Sequence, residues 1–173
     1  MSTLTLQSLA DTRLPVPGAD PWYADPSDPA LSVMTDFRER TSITVPLGAT
    51  IDAALEHMKH TGVRCAFAVD ETAGGVVGLI TAYDITGDVL MRYMQTALTP
   101  RSDVQVRDLM QPIPAWRVAD IQAIERATVG QVHRMFEETR LTHVPVVERD
   151  EIGRTRLRGL LSAARVRRLL SRS

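Results

Sequence analysis

Cysteine is nearly missing from the chain. Cys65 is the only one, which excludes an internal disulfide and any multi-cysteine metal site. Its setting, "CAFAV", reads as mid-strand, so a small buried residue is expected there rather than an exposed thiol of low pKa. A surplus of charge is missing too. Lys and Arg number 20 against 21 Asp and Glu, for a formal net charge of −1; that balance calls for no polyanionic partner, and no nucleic acid is expected. No apolar run approaches the roughly eighteen residues of a membrane span, so no membrane partner is expected. The amino end, "MSTLTLQSLADTR", lacks the basic start and unbroken apolar stretch of a secretory signal. The cytoplasm is the compartment this predicts.

Catalytic signatures are absent as well. The sequence has no glycine loop ending in Lys-Ser/Thr, no His-Glu-x-x-His and no nucleophile beside a recognisable base; "AGG", Ala73 to Gly75, reads as a turn between strands. His57 and His60 fall at i, i+3 on the polar face of a helix with no third ligand nearby, so they are read as solvated and no metal is expected. The chain is not expected to be an enzyme or to require a cofactor.

What the chain does contain is a copy of itself. When "GATIDAALEHMKHTGVRCAFAVD" is laid over "RATVGQVHRMFEETRLTHVPVVE", Thr50 falls on Thr128, Ile51 on Val129, Met58 on Phe136 and Asp70 on Glu148, an offset of 78 residues. In the next block, "VVGLITAYDI" over "LRGLLSAARV", Gly78 falls on Gly159 with an offset of 81, so the second copy carries three extra residues in the turn "RDEIGRTR". Such a repeat fixes the architecture before any residue receives a role.

Each copy reads in the same order. Ile51, Ala54, Leu55 and Met58 recur at helical spacing, and Val129, Val132, Met135 and Phe136 nearly do. Thr50 and Thr128 stand where N-caps belong, and Thr128 with Gln131 makes a capping box. "CAFAV" and "VPVV" are apolar runs too short for helices, each followed by a turn, a second apolar run and a second helix. "SITV" and "AWRV" suggest a short strand before each first helix. The fold predicted is α/β: two β-α-β-β-α units packed sheet to sheet about a pseudo-twofold axis, since one such unit covers only part of its sheet and 44% apolar residues suffice for a shared core.

The units are placed at residues 34–100 and 101–173. Residues 1–33, with five prolines between Arg13 and Leu31, read as an extended arm. From Arg149 to Ser173 eight arginines face two acids, while residues 1–36 hold five aspartates against one arginine. The basic end is either a solvated helix whose cations favour its C-terminus or the seat of the acidic arm, from the same or a partner subunit. In the second case Trp22 and Tyr23 are the expected anchors.

At the strand-to-helix junction "GLITAYDITG" the first copy sets Asp84 three residues after Thr81; in the second, "GLLSAARVRR", the acid has become Arg165. Thr-x-x-Asp before an apolar stretch is a capping box, worth on the order of 1 kcal/mol. A carboxylate there also suits a ribose, whose two neighbouring hydroxyls donate to its two oxygens, while helix-opening N–H groups suit phosphate. Because Ser162 keeps the cap and Arg165 abandons the box, Asp84 is read as less needed for folding.

Taken together, the lead-ins "MTD" and "LMQP", the stretches "TVPLGATIDAALEHM", "CAFAVD" and "THVPVVE", and above all "GLITAYDI" resemble a tandem pair of CBS domains, the cystathionine-β-synthase type of regulatory module, from about Met34 to Leu170. The resemblance implies a disc of two repeats that pairs into a homodimer, and an adenosine-containing ligand between the repeats: AMP, ADP or ATP ahead of S-adenosylmethionine. It gives Asp84 the ribose hydroxyls and Thr81 the ribose or phosphate, with Leu79 and Tyr83 at the same junction, and it seats the base on Ile113, Pro114 and Ala115. Arg165 departs from the pattern, either blocking the second equivalent site or reaching phosphates across the axis. His143 is a candidate for phosphate or a satisfied interface histidine.

Two functions follow. One is a nucleotide sensor acting through an unknown effector protein; the other is a ligand-free dimerisation scaffold.

Overall fold

The computed structural model describes residues 22–171. The greater part of the predicted arm, residues 1–21, lies outside them.

The first half runs β1 (Thr35–Asp36), β2 (Thr44–Pro46), α1 (Ile51–Thr61), β3 (Cys65–Asp70), β4 (Gly75–Thr81), α2 (Ala82–Thr86) and α3 (Asp88–Ala97). The second runs α4 (Val106–Leu109), β5 (Gln111–Pro112), β6 (Ala119–Asp120), α5 (Ile121–Arg126), α6 (Val129–Thr139), β7 (His143–Arg149), β8 (Thr155–Ser162) and α7 (Ala163–Leu170). Helices start where the caps predict. Thr50 Oγ1 accepts from Ala53 N at 3.3 Å, and Thr128 and Gln131 complete their box, Gln131 Oε1 accepting from Thr128 N at 2.9 Å.

The strands form two four-stranded sheets, in the orders β2-β3-β4-β5 and β1-β8-β7-β6. The lead-in strand of each half thus belongs to the sheet of the other. β1 pairs antiparallel with β8, setting Asp36 opposite Gly159, and β5 pairs antiparallel with β4, setting Pro112 opposite Gly78. Both crossings require a residue with no side chain. A β-carbon on Gly78 would lie 2.7 Å from the Gln111 carbonyl oxygen and 2.7 Å from Met110 Sδ; one on Gly159 would lie 2.6 Å from the Thr35 carbonyl oxygen and 2.9 Å from Met34 Sδ.

Alternation along β3 divides its side chains between two cores. Ala66 and Ala68 face the helices, packing with Ile51, Ala54, Met58, Ile80 and Ile85. Cys65 and Phe67 face the other way and join Leu79, Phe37, Trp116, Leu157 and Leu160 in a cluster that ties the sheets together. Phe67 meets Phe37 edge-on at 5.6 Å and Trp116 at 5.9 Å between ring centroids.

One expectation needs correction. The strand expected at Ala115–Val118 lies at Ala119–Asp120, because Ile113–Ala115 closes a 3-10 turn in which Trp116 N donates to the Ile113 carbonyl at 3.0 Å, so that stretch is turned out of the ladder. Trp22 and Tyr23 are exposed in the single chain, Trp22 at 91%, and Ala24 is the residue of this segment that enters the core. Backbone contacts hold this segment against the second half. Ala24 N donates to the Leu169 carbonyl at 2.8 Å, Val129 N to the Asp28 carbonyl at 2.9 Å and Gly130 N to the Pro26 carbonyl at 2.9 Å. So close a backbone approach to α6 is possible because Gly130 carries no β-carbon, and the aromatic rings are left outside.

Among the described residues no helix is long and apolar enough to cross a membrane.

Candidate functional site

β4 ends at Thr81, the N-cap of α2, and Asp84 is its third helical residue. Their side chains close a complete box: Asp84 Oδ2 accepts from Thr81 N and from Thr81 Oγ1, each at 2.8 Å, and Asp84 N donates to Thr81 Oγ1 at 3.2 Å. Both residues are buried, Asp84 with 8% of its surface exposed. All of this falls on one carboxylate oxygen. Among the described residues nothing donates to Oδ1, so the cap leaves half of the carboxylate's accepting capacity unspent. The Thr81 hydroxyl proton is committed to Asp84, and toward any ligand this hydroxyl offers only a lone pair.

This junction forms one wall of a cleft of about 210 Å³ between the halves. The first half contributes Leu79, Thr81, Tyr83 and Asp84; Gln111 of β5 and the entry to β7, Arg140, Leu141, Thr142 and His143, supply the rest. Arg140 is the C-cap of α6 and adopts a left-handed conformation, φ 59°, at the position where α1 ends in Gly62 with φ 71°. His143 opens β7 opposite Ser162, as Cys65 opens β3 opposite Thr81.

The electrostatics differ from wall to wall. Burial, and then the Arg64 guanidinium beside it, push His143 down to about 4, so near neutrality the ring is uncharged. Its Nδ1 lies 3.1 Å from Thr142 Oγ1. Arg64 also donates to the Tyr83 hydroxyl at 3.3 Å, joining the helix edge to the cation. Burial, with the Asp84 carboxylate nearby, drives the Cys65 thiol up to about 12, which leaves it an unreactive core residue.

Of the residues singled out in the sequence, Leu79, Thr81, Tyr83, Asp84 and His143 line this one cleft. Ile113, Pro114 and Ala115 do not; they form the turn that follows Gln111, which does. Arg165 lies elsewhere, its Nε donating to the Val33 carbonyl at 3.2 Å at the lead-in to β1. Residues that sequence reasoning passed over are Gln111, Arg140, Leu141 and Thr142. The signal for Arg140 was present in the repeat, which lays it on Gly62. No group of three or more His, Cys, Asp or Glu side chains able to hold a metal ion occurs among the described residues.

A cleft between two exchanged halves matches a known architecture. The CBS domain model matches residues 32–90 and 106–172, more than half of the chain. The chain belongs to the CBS domain family. Solved CBS structures share its fold. CBSX2 in complex with AMP is 22% identical, with a TM-score of 0.51, over 82% of this chain and 94% of that one. An uncharacterised conserved protein from Pyrococcus horikoshii is 21% identical with a TM-score of 0.56, over 82% and 91%. The CBS-domain containing protein from Agrobacterium tumefaciens is 20% identical with a TM-score of 0.54, over 79% and 93%. Comparison with curated proteins gives no match.

Proposed function

We propose that this CBS pair is a regulatory module that binds one adenine nucleotide, of the AMP, ADP or ATP class, in the cleft beside Asp84 and passes its occupancy to a partner protein. The observation that carries this reading is the division of labour within one carboxylate: Oδ2 holds the helix start, and Oδ1 is left to accept a sugar hydroxyl. Leu79 and Leu141 offer apolar surface to a base. The cleft draws its walls from both halves, so a ligand bridging them favours one relative arrangement over others, as a sensor needs. CBSX2, a neighbour of this fold, has been crystallised with AMP.

The test is a thermal-shift panel of AMP, ADP, ATP, S-adenosylmethionine and cyclic dinucleotides. A ligand at about a hundred times its Kd stabilises by about 2.7 kcal/mol, which for a chain of this size is a rise of roughly 5–10 °C. A flat panel would overturn the reading in favour of the scaffold. That second reading has its own observation: Val89, Met91 and Leu98, on and just after α3, are exposed apolar side chains of the kind a partner copy would cover. Sedimentation of the ligand-free chain measures it.

A further inference from the structure

Arg140 is an expensive residue where it stands. In the left-handed region a β-carbon crowds the backbone, glycine is the usual residue just past a helix end, and the first repeat has Gly62 at this point. An arginine gains nothing there as a cap, since the hydrogen bond that closes α6, from Arg140 N to the Phe136 carbonyl, is one any non-proline residue makes.

The side chain is not held by the fold either. Arg101 is paired with Asp52, Arg158 with Asp36 and Glu148, and Arg167 with Glu137. Among the described residues the Arg140 side chain, like those of Arg92, Arg126 and Arg134, makes no hydrogen bond and no ion pair, but Arg140 is the arginine that lines the cleft Asp84 lines from the other half. Two departures from the repeat meet at this place: glycine becomes Arg140 on one wall, and the acid retained as Asp84 on the other is lost from the second copy as Arg165. The outcome is one cleft lined by Asp84 from the first half and by Arg140 from the second.

We infer that Arg140 is the anion-selecting residue of the cleft: it takes the phosphate of a nucleotide whose sugar lies on Asp84, so that the module responds to nucleotides and ignores the nucleoside. This rests on the nucleotide reading above. A guanidinium meets a phosphate through two parallel N–H bonds, and those bonds are strongest where nothing else competes for the donors.

Arg140→Gly tests it, because stability and binding are expected to move in opposite directions. The variant should melt at or above the wild-type temperature, since the left-handed residue is relieved. Its AMP and ATP affinities should fall by roughly tenfold to a hundredfold, the loss of a charged hydrogen-bonded contact, while any weak adenosine affinity stays within about twofold. Arg140→Lys should lie between the two, keeping charge without the planar fork. An AMP affinity of Arg140→Gly equal to wild type, or an equal loss for AMP and adenosine, would overturn the inference and leave the nucleotide reading standing. If wild type binds neither AMP, ATP nor adenosine in calorimetry, the nucleotide reading fails and this inference falls with it.

Discussion

Asp84 and Arg165 occupy matching third positions of the helices that follow β4 and β8, but they face opposite duties. Asp84 turns back to receive the Thr81 amide and hydroxyl, whereas Arg165 reaches away to the Val33 carbonyl. Ser162 still accepts from the Arg165 amide, at 3.5 Å, so α7 begins on half a box.

Asp84→Ala removes a cap and the proposed sugar contact together. The expected loss of stability is about 1 kcal/mol, measured by urea denaturation, with loss of nucleotide binding measured by calorimetry. Asp84→Asn separates the effects, since its side-chain oxygen still accepts from the Thr81 amide: near-native melting with binding weakened by roughly tenfold or more is expected. Undiminished binding in both variants would return the residue to a purely structural role.

Titration of the ligand-free chain should reveal His143. Its folded value of about 4 lies below the 6.5 of an ordinary histidine, so between those values the unfolded chain binds a proton that the fold refuses. Stability from this group is therefore complete above about pH 6.5 and declines as pH falls toward 4, by on the order of 3 kcal/mol in all. Denaturation series at pH 7 and pH 4.5 should show a smaller difference for His143→Gln than for wild type.

The exchanged lead-ins make a symmetrical prediction. Gly78→Ala and Gly159→Ala each drive a β-carbon to within 2.7 Å of a backbone oxygen of the crossing strand, and each should cost about 1–3 kcal/mol. Comparable losses in chemical denaturation are expected from the two variants. A silent Gly159→Ala would mean that β1 is not bound to the second sheet as described.

Phe67, 2% exposed between Phe37 and Trp116, is the aromatic through which the sheets meet. Phe67→Ala should cost about 3–5 kcal/mol. Proteolysis between the halves, around residues 98–105, should quicken with it if the cluster holds them together.

Much of this was legible in the chain because it is local. Thr50 and Thr128 start helices through bonds to residues three positions on, and the pairing of β3 with β4 and of β7 with β8 needs only a turn between neighbouring apolar runs. Asp84 was legible as a candidate because the repeat supplies its own comparison. That its cap engages only one of the carboxylate's two oxygens is revealed by the folded geometry alone.

The sequence by itself determined the doubled α/β plan, the helix starts and the asymmetry of Asp84 against Arg165, since each is written in spacing and residue type over short separations. Tertiary structure alone decided that each lead-in strand joins the other half's sheet, that Trp22 lies outside while Ala24 lies within, and that Arg140 shares a cleft with Asp84 from the opposite repeat. Those outcomes depend on which surfaces meet when two sheets close on one another, and strands two residues long carry too little pattern to announce their partners in advance.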